Sequence, residues 1–252
     1  MKSLKGIITS TGRFFARLAG FKDATPAIIA WIDWTLEDRA RIVYSEQADR
    51  MNWLLRPRGA LPISTDCSGY SRLLYWLANC ADIMKLGYKV LAGYTGTELS
   101  AEEHIAMLVK NARGVTVENI RRGDLCVYGA FPGKHVAVVY ELGPDPLMAS
   151  HGKPGDPSLV RHSVLLSLGA PTWLRCNTLT RNPVFPPTKV PTAAQIAGRG
   201  LVILTDSSQA QLALRNKWPL FVWNGYSFSE VLTGNPLTMP VYANYHFASP
   251  RG

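Results

Sequence analysis

The hydrophobic period of this chain changes once, after Gly114, and that change narrows the folds open to it. Before it, apolar residues recur at helical spacing. Tyr70, Leu73, Leu74, Leu77, Cys80 and Met84 mark one face of an amphipathic helix over residues 68–84. An earlier helix is expected from Thr25 as N-cap and Pro26 as first helical residue, through Trp34 and Asp38 to about Gln47. A shorter one is expected over 101–112, and residues 52–66, with Pro57, Gly59 and Pro62, read as a loop. After Gly114 come short β-prone runs at 124–128, 135–140, 147–150 and 160–166, separated by Gly, Pro and Asp. Helices first and consecutive strands second predict an α+β domain, with N-terminal helices packed on a central, largely antiparallel sheet.

The 252 residues are 47% hydrophobic and 18% charged, enough apolar material for a sizeable core, which argues against extended disorder. Four segments are expected: a basic arm over 1–24, a main domain over 25–182, a proline-rich linker over 183–191 and a small C-terminal domain over 192–252. Residues 1–22 carry Lys2, Lys5, Arg13, Arg17 and Lys22 with no acidic residue. Thr9 to Arg13 interrupt the apolar stretch, so no secretory signal is read there. The arm reads either as a basic amphipathic helix on a membrane or as a docked or frayed terminus. No apolar run approaches the roughly 20 residues of a spanning helix, so no integral membrane segment is expected. In the C-terminal part a helix is expected near Ser208–Asn216. The aromatics Trp218, Trp223 and Tyr226 would either stack on sugar rings or bases, or form a small core.

Lys plus Arg outnumber Asp plus Glu by 27 to 18, a net charge of +9. Such an excess favours a polyanionic partner: nucleic acid, anionic membrane or acidic cell-wall polymer. No nucleic-acid reading motif accompanies the charge, so that class ranks last. The four cysteines show no CxxC spacing, which argues against a zinc knuckle, and no metal or organic cofactor is expected.

Chemistry concentrates at Thr65-Asp66-Cys67-Ser68-Gly69, directly before the best amphipathic helix. A cysteine at a helix N-terminus feels the positive end of the helix dipole and free backbone N–H groups, which favour the thiolate. The same amides can cradle an oxyanion when that thiolate attacks a carbonyl. His135 opens the run His135-Val136-Ala137-Val138-Val139 and is a candidate base at a strand end. His151, following the run 147–150, is a candidate to orient it. Cys80 and Cys126 fit inside apolar faces and read as buried hydrophobes. Asp124 reads as a turn residue, with membership of a Cys-His-Asp triad as the other possibility. Gly93-Tyr94-Thr95-Gly96 is no phosphate loop, because no Lys-Ser/Thr follows it.

The order Asp66-Cys67-Ser68-Gly69, Arg122-Gly123-Asp124-Leu125, His135-Val136-Ala137-Val138 and Ala149-Ser150-His151-Gly152 resembles the NlpC-type cysteine peptidases. Those are papain-like enzymes that cut peptide stems of bacterial peptidoglycan. Tyr44-Ser45-Glu46, Met51-Asn52-Trp53 and Ala92-Gly93-Tyr94-Thr95-Gly96-Thr97 look more narrowly like lysins of phages infecting actinobacteria. The resemblance covers roughly residues 35–176. It implies a papain-like fold, Cys67 as nucleophile, His135 as base and His151 as orienting residue. The family's aromatic-x-x-Gly-Gly segment before the Cys is missing, and Trp53, Tyr44 and Ser68 are expected to contact the substrate instead. The implied activity is endolysin-like cleavage of a stem amide after D-γ-glutamate and before a diamino acid. Synthesis would be in the host cytoplasm, with action on the wall or in the virion. The other class kept open is a virion or tail-tip structural component that meets other phage tail proteins.

Overall fold

The computed structural model describes residues 20–152 and 155–187, then 193–204, 212, 213, 215–223, 228–230 and 246–250. The chain divides into two compact units, Met1–Pro186 and Pro187–Gly252. That division falls within the proline-rich stretch. Val184, however, belongs firmly to the first unit: its backbone N–H donates to Ala78 O, and its carbonyl accepts from Trp31 Nε1 at 2.8 Å.

In the first unit a two-residue strand, β1 (Lys22–Asp23), leads into α1 (Thr25–Glu37). Pro26 sits in the first turn as expected, but Thr25 is the first helical residue and not the cap, its N–H and Oγ1 both donating to Asp23 Oδ1. The helix also ends ten residues short of the expected Gln47. Ile42-Val43-Tyr44 instead forms β2 (Ile42–Tyr44), parallel to β3 (Ile63–Thr65). β-branched and aromatic side chains favour the pleated form, and here a strand partner was available inside what reads as a loop.

Next comes α2 (Cys67–Leu77), capped by Asp66 in extended conformation, whose carboxylate accepts from Gly69 N at 2.6 Å. Gly69 is required by close approach: a Cβ there would collide with Thr65 Oγ1. The helix stops well before Met84, because Asn79 takes a left-handed φ of 64°, which Asn tolerates better than most residues. A single turn, α3 (Gly87–Leu91), precedes α4 (Ala101–Asn111), which Ser100 and Glu103 open with a reciprocal capping box.

The remaining strands are β4 (Arg113–Gly114), β5 (Leu125–Tyr128), β6 (His135–Glu141), β7 (Leu147–Ser150), β8 (Ser158–Arg161) and β9 (Pro171–Arg175). They form one antiparallel sheet of order β4-β9-β5-β6-β7-β8. The run expected over 160–166 breaks at Arg161, and α5 (His162–Leu165) follows as one helical turn. A final strand, β10 (Leu179–Thr180), pairs with β1. The class is therefore α+β with a central antiparallel sheet.

Alternation of side chains gives this sheet two buried faces. Leu125, Val127, Val136, Val138 and Ala149 point toward the helices, meeting Ile28, Leu73, Leu74 and Ile105. Cys126, Tyr128, Ala137, Val139 and Met148 point the other way, into a smaller core closed by Leu165 and Trp173. Tyr75 ties α2 to the turn before β5, its hydroxyl donating to Gly123 O at 2.5 Å. At one end of the sheet the turn after β5 and the turn before β9 touch backbone to backbone. Gly129 N donates to Ala170 O, and a Cβ on Gly169 would lie 2.6 Å from Gly129 Cα. Both glycines have positive φ.

The second unit has a short helix, α6 (Ala193–Gly198), and strands β11 (Val202–Leu204), β12 (Leu220–Trp223), β13 (Phe228–Glu230) and β14 (His246–Ala248). The strands pair antiparallel in the order β11-β14-β12-β13. Leu220, Phe247 and Ala248 are buried within it, and Trp218 packs against Leu220 and Ala248. The helix expected near Ser208–Asn216 lies largely outside the described residues, as do Tyr226 and residues 1–19 of the basic arm. No helix among the described residues is long and apolar enough to cross a membrane.

Candidate active site

Cys67 is the first residue of α2, at the end of the helix that abuts the sheet. It is buried, and burial pushes its thiol up to about 12, with the Asp66 carboxylate adding to the effect. Backbone N–H groups of Val136, Ser68 and Cys67 itself pull the other way. The helix terminus thus acts in the expected direction, but desolvation outweighs it.

Cys67 opens onto a cleft of about 420 Å³ whose walls include Tyr44, Lys134, His135, Ser150, Gly152, Asp156 and Leu168. His135, the first residue of β6, lies in the same wall. Burial lowers its pKa to about 4. No hydrogen bond joins its ring to the Cys67 sulfur, and burial favours the neutral form of both the thiol and the imidazole. Its Nε2 is paired with Ser150 Oγ at 2.8 Å, and the Tyr128 ring lies 6.3 Å away, centroid to centroid.

His135 and His151, whose rings were expected to lie within hydrogen-bond reach, are not bonded to each other, although the charge of one disfavours that of the other. His135 shares the face of Ala137 and Val139, in the smaller core. His151 is in phase with Ala149, on the helix side, edge-on to Tyr44 at 5.4 Å and to Tyr70 at 5.5 Å. It is 0% exposed, and neither ring nitrogen has a hydrogen-bond partner among the described residues. Burial lowers its pKa to about 4, with weaker opposition from the Gly155 backbone, which lies outside hydrogen-bond geometry.

Of the expected substrate contacts, Tyr44 lines the cleft, its hydroxyl donating to Glu46 Oε1 at 2.7 Å. Trp53 does not: it is 1% exposed and packs on Trp76 in the helix-side core. Ser68 is also turned inward, donating to Asp66 Oδ1 at 2.7 Å and lying 3.2 Å from His104 Nδ1. Position within a helix decides this. Successive helical residues point about 100° apart, so Cys67 reaches the cleft while Ser68 meets His104.

Asp124 belongs to the structure of its turn. It accepts from Arg121 N and forms a two-point ion pair with Arg175 at 2.8 and 2.6 Å, and it has no contact with His135. Sequence reading missed two residues of the Asp66 network. Arg50 Nη1 donates to Asp66 Oδ2 at 3.2 Å, and His104 Nε2 donates to Gly96 O at 2.6 Å. His104 sits on the inner face of the capped helix α4, a position that its Ser100–Glu103 box could have revealed. Arg50 carried no local signal. Lys134 and Asp156, exposed and of opposite charge, were also not singled out. No group of three or more His, Cys, Asp or Glu suited to a metal occurs among the described residues.

Compared with known proteins, this chain matches no family model and no curated protein.

Proposed function

We propose that the first unit is a thiol hydrolase of the papain-like, NlpC type, and that it cuts stem-peptide amides of bacterial peptidoglycan. The observation that carries this reading is the convergence on one cleft of a cysteine at a helix N-terminus and a histidine at a strand end. In this reading Cys67 attacks the carbonyl carbon as its proton passes to His135, so both partners begin neutral. The imidazolium then protonates the departing amine, and water hydrolyses the acyl-enzyme. The N–H groups of Cys67 and Ser68, which lie close enough to act on the sulfur, would hold the oxyanion. Unliganded catalytic pairs are often loose and tighten when substrate arrives, which accommodates the missing thiol–imidazole bond. The resemblance in motif order supplies the substrate: the bond after D-γ-glutamate and before a diamino acid. The excess of positive charge suits an anionic wall.

Synthesis in a phage-infected cell, with action on the wall or in the virion, goes with the same reading. A tail-tip structural role is the second reading, favoured by the separate second unit, which would then serve assembly with other tail proteins. One experiment tests the first. Purified actinobacterial peptidoglycan is digested with the full chain, and new termini are identified by mass spectrometry. New amino termini on the diamino acid, absent with Cys67→Ala, are expected. Intact stems after exhaustive digestion would remove the hydrolase reading.

A further inference from the structure

We propose that Ser150 is the positioning residue of His135, accepting the Nε2 proton and leaving Nδ1 as the basic nitrogen that faces the cleft. The purpose of this arrangement rests on the thiol-hydrolase reading; the arrangement itself rests on geometry. Ser150 and His135 are both buried, on the same face of neighbouring strands, and their 2.8 Å contact is the only hydrogen bond either side chain makes among the described residues. Continuing the register from Val138 opposite Ala149 puts Ser150 across from Ala137, diagonal to His135, within reach of a long side chain.

The other nitrogen has a different environment. Among the described residues His135 Nδ1 has no hydrogen-bond partner, and it is not closed off from the open space of the cleft. Gly152 borders that edge of the ring. A Cβ there would lie 3.4 Å from Cε1 and 3.9 Å from Nδ1, so glycine leaves the edge uncovered. The Ser150 hydroxyl is able to accept from Nε2–H or to donate to a bare Nε2. Only with the proton on Nε2 is Nδ1 left as a base toward the cleft, and that is the tautomer we assign. Tyr128 does not compete for that proton, because its hydroxyl is paired with His162 Nδ1 at 2.9 Å. His151 makes no hydrogen bond to either nitrogen among the described residues.

The test uses the full chain with ¹⁵N-labelled histidine. Long-range ¹H–¹⁵N spectra should show His135 as the Nε2–H tautomer in the wild type. Ser150→Ala should give a mixture of tautomers, lower kcat on peptidoglycan about 10-fold with KM unchanged, and slow alkylation of Cys67 by iodoacetamide several-fold at neutral pH. That fall is a part of the 10²–10⁴-fold that general-base assistance is worth. Ser150→Thr, which keeps the hydroxyl, should restore all three. Thermal melts of each variant separate these effects from loss of fold. An Nδ1–H tautomer in the wild type overturns the proposal. So does a Ser150→Ala protein with wild-type tautomer and alkylation rate, or a His151→Asn protein that alone reproduces the changes. If wild type fails to cut peptidoglycan while tautomer and alkylation still respond to Ser150→Ala, the substrate reading falls and the positioning role stands.

Discussion

The imidazole of His135 is held by Ser150, and His151, the very next residue, points through the opposite face of the sheet. A shift of one residue along a strand moves a side chain from one side of the sheet to the other. Two histidines that line up in sequence order thus have different neighbours, His135 against Ser150 and His151 against Tyr44 and Tyr70.

Cys67→Ala removes the nucleophile with little change in volume. Hydrolysis of peptidoglycan should fall by at least about 10³-fold, while the melting temperature stays near that of wild type. Cys80→Ala and Cys126→Ala should keep activity. Peptide mapping after iodoacetamide treatment should place the His135-dependent label on Cys67, and EDTA should leave hydrolysis unchanged. Full activity in Cys67→Ala would sink the proposed chemistry.

Stability should depend on pH through His135 and His151. Burial lowers both from the usual 6.5 to about 4, so the folded state favours the neutral rings. Between pH 6.5 and 4 the unfolded chain binds protons that the folded chain resists, and stability is lost as pH falls through that window. Denaturant midpoints at pH 7 and pH 4.5 should show the drop. His151→Leu, which cannot titrate, should show a smaller one; an equal drop would mean that other groups carry it.

Asp66 both caps α2 and faces the buried Arg50. Asp66→Ala should cost about 1 kcal/mol for the lost cap. A further 3–5 kcal/mol, roughly, comes from leaving a buried charge without its partner. Asp66→Asn should keep the cap and lose only the charge. Urea unfolding followed by tryptophan fluorescence would rank the three proteins, and indistinguishable midpoints would contradict the network.

Gly152 offers a graded test of access to His135. Its φ is not in the left-handed region, so alanine is tolerated by the backbone and meets the ring only at ordinary contact distance. Gly152→Ala should change kcat/KM less than about 5-fold. Gly152→Val, whose branches would cover the Nδ1 edge, should reduce it by more than about 10-fold at an unchanged melting temperature. Equal rates would show that the reaction does not use that edge.

Residues 1–187 should be soluble and keep cleavage of short stem peptides, since the contact boundary falls after Pro186 and Val184 is retained. Binding to intact sacculi in a pelleting assay should weaken if the second unit holds the wall. Ending the chain before Val184 should cost stability, measured as a lower melting temperature, because Trp31 Nε1 would lose its acceptor.

Long periodic segments and strong local caps were readable in the sequence. α4, β5, β6 and β7 fall within a residue or so of expectation, because each is specified by neighbours close in the chain. The errors came where distant partners decide. Ile42–Tyr44 continues a helical pattern locally and becomes a strand only because Ile63–Thr65 lies beside it. The strand Pro171–Arg175 gave no alternating signal, having one face on Trp173 and a proline at its start. At the site, the cleft position of Cys67 and His135 could be read from helix and strand ends. The inward turn of Ser68 and Trp53, the face of His151 and the burial of the thiol depend on packing that no local pattern reports.

The backbone contact between Gly129 and Gly169 bears on how this cleft can change. A methyl group at Gly169 would push the two turns apart, and at Gly129 a positive φ of 97° disfavours any side chain, so the clamp itself is nearly closed to variation. The residues it carries are not. Phe131, at the tip of one turn, and Leu168, on the wall of the cleft, are both exposed and free to be replaced. A clamp of two glycines thereby works as a fixed mount with an exchangeable wall: descendants of this chain can alter what the cleft accepts at 168 while Lys134 and His135 stay in place.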